Sequence, residues 1–191
     1  MKNSKSDLII NVAQKLFAKF GFKKTTVDEI AHSAHITKSS IYHYFSSKED
    51  IFRTVVEKES RIWSQKIKEV INKASTPQEK LRAYILTRTK YLNQLANFYS
   101  VLKQEYLEHY SFIERIRKKD LQGEIETVKA ILEEGIIKEV FQVEDLELTA
   151  FAIVTALKGL EYPWTMEMPM PDIEKRIDLL LTVLFNGLVK K

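Results

Sequence analysis

The sequence predicts an all-α protein, and three observations carry that expectation. Glycine and proline are scarce, five and four in 191 residues, so long stretches run without a helix breaker. Apolar residues recur three and four apart, the period of an amphipathic helix, and no strand-like alternation is visible. Capping residues stand where such periodic stretches should begin. The length suits a small domain joined to a medium one, here a three-helix N-terminal domain over residues 1–55 and a larger helical domain over 56–191, about nine helices in all.

Leu8, Ile9, Val12, Ala13, Leu16, Phe17 and Phe20 form the first helical stripe, and Gly21 follows as its stop. Thr26 stands three residues before Glu29, a capping box that opens a short second helix with Val27, Ile30, Ala31 and Ala34 on one face. Thr37 caps a third, Lys38 to Tyr44, and Ser47 with Asp50 opens a longer fourth. A helix, a turn of about four residues and a second short helix is the pattern whose second helix enters the major groove of DNA. Periodicity alone fits a generic helical bundle equally well, with Ile36, Ile41 and Phe45 as core.

Charge placement favours the nucleic-acid reading. Residues 1–55 hold nine Lys and Arg against five acids, a surplus equal to the +4 of the whole chain, so residues 56–191 are neutral. The chain has no cysteine, which excludes disulfides, zinc-thiolate clusters and a thiol nucleophile. The N-terminus is polar, and no apolar run approaches the roughly 18 residues that span a bilayer. A cytoplasmic protein without membrane contact is expected.

The run from Thr25 to Asp50, TTVDEIAHSAHITKSSIYHYFSSKED, closely resembles the DNA-binding segment of the TetR repressor family. The likeness covers Ser6 to Val56 and rests on Gly21, Thr25-Thr26, Ile30-Ala31, Ala34, Thr37-Lys38, Tyr42, Tyr44-Phe45 and Ser47-Lys48-Glu49. The family usually has glycine where His35 stands, often where Ser39 stands, and commonly where Glu139 stands. The resemblance implies a dimeric repressor of a palindromic double-stranded DNA operator, released by a small apolar or amphipathic effector. It implies DNA contacts from Thr26, Thr37, Lys38, Ser39, Ser40, Tyr42, His43 and Lys48, with Tyr42 and Lys48 as phosphate clamps. Thr26, Thr37 and Ser47 also read simply as caps. His32, His35 and His43 lie inside this segment, and no metal site is expected from them.

Beyond residue 55 the fourth helix continues to Ala74, and Ser75-Thr76-Pro77 marks a break with proline at a helix start. Helical patterns follow over Gln78–Leu95, Phe98–His109, Phe112–Glu139, Asp145–Tyr162 and Asp172–Val189. The last two carry wide apolar stripes, and the resemblance implies that they pair with their copies in a homodimer. Ala152, Ala156, Gly159, Ile177, Leu181 and Leu184 are the candidate dimer residues. Aromatic and isolated polar residues in the middle of the chain are candidate effector contacts: Trp63, Arg88, Tyr91, Tyr99, Glu105, Tyr106, His109, Lys158 and Tyr162. No cofactor is expected.

Two other functions compete. Glu105 and His109, four apart on one helix, could belong to an enzyme's acid-base site, but no phosphate loop, nucleophile elbow or dense His and carboxylate cluster accompanies them. Alternatively, a DNA-binding regulator could use residues 56–191 only to dimerise or to bind another protein.

Overall fold

The computed structural model describes residues 5–92, 95, 97, 100, 111–167 and 170–188. Its elements are helices: α1 (Lys5–Lys24), α2 (Val27–Ser33), α3 (Lys38–Tyr42), α4 (Lys48–Lys73), α5 (Pro77–Leu92), α6 (Ser111–Ile137), α7 (Leu146–Glu167) and α8 (Met170–Leu188). There is no strand among the described residues. The helix expected over Phe98–His109 lies almost wholly outside them. No described helix is long and apolar enough to cross a membrane.

The chain forms two compact units, Met1–Trp63 with Leu95–Phe112 and Ser64–Gln94 with Ile113–Lys191. The division falls within α4, later than the boundary expected at residue 55. Val55, Val56, Glu59 and Trp63 are all buried, and Glu59 accepts a hydrogen bond from Gln14 of α1 at 2.8 Å, so the first unit's core continues past that point.

In the first unit, Ile9, Ile10, Ala13 and Phe17 of α1 are buried with Ile30 and Ala31 of α2, Ile41 of α3, and Ile51, Phe52 and Val55 of α4. Three rings anchor this core: Phe52 lies 5.0 Å from Phe17 and 4.7 Å from Phe22, centroid to centroid. Gly21 interrupts α1 with φ 79° and ψ 163°, so regular helix ends at Phe20 and a single further turn follows.

In the second unit, α5 packs against α7 and α8. Arg82 of α5 makes a two-pronged ion pair with Asp178 of α8, at 2.6 and 3.0 Å. Lys80 reaches Glu134 of α6 at 2.6 Å.

Two helices end in the same six-residue closure. After α2, Ile36 N–H donates to Ala31 C=O and His35 N–H to His32 C=O; after α6, Val140 donates to Gly135 and Glu139 to Ile136. These are the paired bonds of a Schellman motif, whose penultimate residue must be left-handed. His35 has φ 54° and Glu139 φ 58°. Both occupy positions where the resembled family favours glycine, so the backbone keeps its course at some strain. Gly135 is needed for another reason: a Cβ there would run into the ring of buried Phe141, which stacks on Phe185 of α8.

Glu139→Gly and His35→Gly should each raise stability by about 1 kcal/mol, since only the side-chain clash of a left-handed residue is removed. Gly135→Ala should lower it by about 1–3 kcal/mol through overpacking against Phe141. Urea unfolding of the three variants checks both signs.

Candidate nucleic-acid interface

The capping residues set the geometry of α2 and α3. The Thr26 hydroxyl accepts from Glu29 N–H at 3.2 Å, while Thr26 N–H donates back to the Glu29 carboxylate at 2.7 Å, a complete capping box. The Thr26 backbone bond, then its hydroxyl bond, holds the Glu29 carboxyl below its ordinary value. Thr37 caps α3 by accepting from Ser40 N–H at 3.2 Å, and its hydroxyl lies 2.9 Å from those of both Ser39 and Ser40. At α4 the Ser47 hydroxyl accepts from Asp50 N–H, but the Asp50 carboxylate reaches back to Ser46 rather than to Ser47.

The short α3 has two dissimilar sides. Ile41 is wholly buried, whereas Thr37, Lys38, Ser39, Tyr42 and His43 are exposed and Ser40 is half-exposed. α3 ends at Tyr42, two residues before the expected end, and His43 caps it, with the His43 and Tyr44 rings edge to face at 5.2 Å. The exposed side therefore offers three hydroxyls, an ammonium, a phenol and an imidazole, donors and acceptors suited to base edges and phosphates. Lys38 is already paired with Asp28 of α2 at 2.8 Å, a partner the sequence reading did not foresee. No group of three or more His, Cys, Asp or Glu among the described residues could hold a metal ion, and this includes His32, His35 and His43.

Lys48, expected as a phosphate clamp, has partners within the chain. Its ammonium donates to Phe22 C=O at 3.0 Å and Thr25 C=O at 3.1 Å, and lies 4.4 Å from the Phe22 ring centroid. Thr25, almost fully buried, sends its own hydroxyl back to Gly21 C=O at 2.9 Å. Lys48 thus closes the α1–α2 connection onto the first turn of α4.

The expected effector residues are only partly assembled. Tyr99, Glu105, Tyr106 and His109, and the side chains of Tyr91 and Tyr162, lie outside the described residues. Trp63 is buried in the first unit. Arg88 and Lys158 do converge, on a carboxylate that the sequence reading missed: Glu124 of α6. Its Oε2 accepts from Arg88 Nε and, at 2.7 Å, from the Tyr84 hydroxyl; Oε1 lies 3.2 Å from Lys158 Nζ. Asp120, one turn earlier, is 3.3 Å from the same ammonium. Burial disfavours the Glu124 charge, but Arg88 and then Lys158 outweigh it and bring the carboxyl down to about 2. The available signal was helical spacing, since Tyr84 and Arg88, like Asp120 and Glu124, are four apart.

The dimer candidates separate into two groups. Ala152, Ala156 and Gly159 are exposed on α7, in line with the exposed Leu148 and Phe151. Ile177 and Leu181 are corrected to intrachain core, at 0 and 3% exposure, because α8 turns that side toward its own unit. Leu184 is half-buried, and the outward apolar residues of α8 are Leu179 and Val183.

Lys48→Met keeps the aliphatic stem and removes two charged hydrogen bonds and the ring contact. Its urea unfolding free energy should fall by about 1–3 kcal/mol. Unchanged stability would show that the clamp contributes nothing to the fold.

Residues 9–55, the segment that contains α2, α3 and the start of α4, match the family model of bacterial regulatory proteins, tetR family. Similarity extends over the whole chain. It is 26% identical to the HTH-type transcriptional regulator QacR of Staphylococcus aureus, covering 96% of this chain and 98% of the relative. It is 27% identical to the fatty acid metabolism regulator protein of Bacillus subtilis, covering 100% and 98%. Among solved structures, a transcriptional regulator from Cytophaga hutchinsonii superposes with a TM-score of 0.78 at 26% identity, covering 96% of this chain and 98% of that one. Residues 9–55 thus carry the DNA-binding segment of the TetR family, and over its whole length the chain is similar to bacterial transcriptional regulators.

Proposed function

We propose that this protein is a cytoplasmic, non-enzymatic repressor that binds a palindromic operator as a homodimer and is released by a small apolar or amphipathic effector. The observation that carries the DNA-binding part is the two-sidedness of α3: Ile41 fastens it to the core, while Lys38, Ser39, Tyr42 and His43 stand free of the core beside Thr37 and Ser40. Ser39 and Ser40, near the start of α3, read base edges, and Lys38, Tyr42 and Thr26 bind phosphate. The third ammonium proton of Lys48 serves a phosphate while its other two remain on the backbone.

Pairing uses α7 and α8. Leu148, Phe151, Ala152, Thr155, Ala156 and Gly159 follow one another at spacings of three and one, a single exposed stripe, and Leu179 and Val183 add apolar area on α8. A stripe of this composition facing water is costly for a monomer and suits a self-complementary two-fold contact. The second unit receives the effector, and fatty acids are the first class to screen, given the relative that regulates fatty acid metabolism.

Ala156→Arg, at an exposed position, should leave the fold intact and give monomers with reduced operator affinity; an intact dimer by light scattering would argue against this pairing face. Ser40→Ala should cost about 1–3 kcal/mol at one operator position and leave nonspecific binding nearly unchanged. Lys38→Ala should weaken all sequences alike and lower the salt slope by about one unit per half-site. Titration on operator and scrambled DNA at several salt concentrations distinguishes the two. A thermal-shift screen followed by calorimetry tests the effector: operator DNA must weaken its binding by the factor by which it weakens DNA binding.

A further inference from the structure

We propose that Asp120 and Glu124 of α6, with Lys158 of α7 between them, form a proton-operated latch that ties α6 to α7. The argument begins from geometry. The two carboxyls lie one turn apart on the same helix, their side chains 5 and 6% exposed, and one ammonium approaches both, at 3.3 and 3.2 Å. Glu124 is the fixed member, because its other oxygen is held by Arg88 and Tyr84 of α5. Asp120 is the variable one. Among the described residues, the charged and titratable groups facing it are Glu124 on its own helix, Lys158 from α7, and Tyr84 and Arg88 from α5, grouped on Glu124.

The two protonation states hold the helices differently. With a proton on Asp120, a neutral carboxyl lies beside the Glu124 carboxylate, and Lys158 has one full counter-charge. Without that proton, two buried carboxylates face each other, and Lys158 is the cation that keeps them together. Burial, then the Glu124 charge, pushes the Asp120 carboxyl up to about 7, against the attraction of Lys158, so the change falls near neutral pH. Because this value is raised above the ordinary 3.8, folded chains keep a proton that unfolded chains have released. The resulting stabilisation is complete below about pH 4, declines as pH rises to about 7, and is absent above that. Lys158 accordingly matters more when Asp120 is charged, with two carboxylates to hold, than when it is neutral and Glu124 is the one charge left.

The test uses the full-length protein with carboxyl-labelled aspartate. The Asp120 carbon signal, assigned with Asp120→Asn, is followed by NMR, and melting temperature is recorded from pH 5.5 to 8.5 for the parent, Asp120→Asn and Lys158→Met. The expected midpoint is near 7 in the parent, shifted upward by about one pH unit or more in Lys158→Met. The parent should lose melting temperature relative to Asp120→Asn as pH rises, and Lys158→Met should be destabilised at pH 8 far more than at pH 5.5. An Asp120 midpoint near 4, a difference from Asp120→Asn that is the same at both ends of the range, or an equal effect of Lys158→Met at both ends would overturn the proposal. The NMR titration of the parent decides the matter alone if neither variant folds.

Discussion

The Lys48 ammonium gathers three chain segments at one point. It holds the carbonyls of Phe22, just past the break at Gly21, and of Thr25, just before the cap of α2, and it does so from the first turn of α4. Phe22 beneath it packs on Phe17 and Phe52, so the ring that receives the cation also belongs to the core. The exit of α1, the entry of α2 and the start of α4 are fixed together. The α2–α3 pair departs from that point, and its angle of departure decides what α3 presents. Charged hydrogen bonds shielded by an aromatic face are stronger than their exposed equivalents, which suits a junction that must not drift.

Much of this half of the molecule was legible in the chain. Thr26 with Glu29, Thr37 before Lys38, and Gly21 at the end of an apolar stripe each name a local event, and local events survive folding because their partners are three or four residues away. The misreadings share one cause, which is that their partners are distant. The hydrogen bonds of Lys48 to the carbonyls of Phe22 and Thr25 join positions 26 and 23 residues apart, which no local pattern announces. The apolar stripe of α8 gives no hint that Ile177 and Leu181 face inward while Leu179 and Val183 face out. Arg88 reads as an isolated polar group until Glu124, far along the chain, is brought against it. His35 and Glu139 were marked only by what stands there in similar chains, and the bond pattern 6→1 and 5→2 supplies the physical reason.

The charge pairs of the chain differ widely in burial. In the second unit, Arg88 and Glu124 are 3 and 6% exposed, and breaking a pair so buried is costly. In the first, Lys38–Asp28 and Arg53–Asp50 lie at the surface, where such pairs contribute little and can be exchanged. A buried pair is fixed in its place, whereas a surface pair leaves its members able to take new partners.

Asp28 adds a consequence of its own. A carboxylate already seated on Lys38 of α3 would compete with the phosphates of any DNA that Lys38 met, so such a contact would be a replacement and not a new attraction. The rivalry is equal at every sequence, so it shortens residence on irrelevant sites and on the right one by the same factor, and the choice between them is left to base-edge contacts.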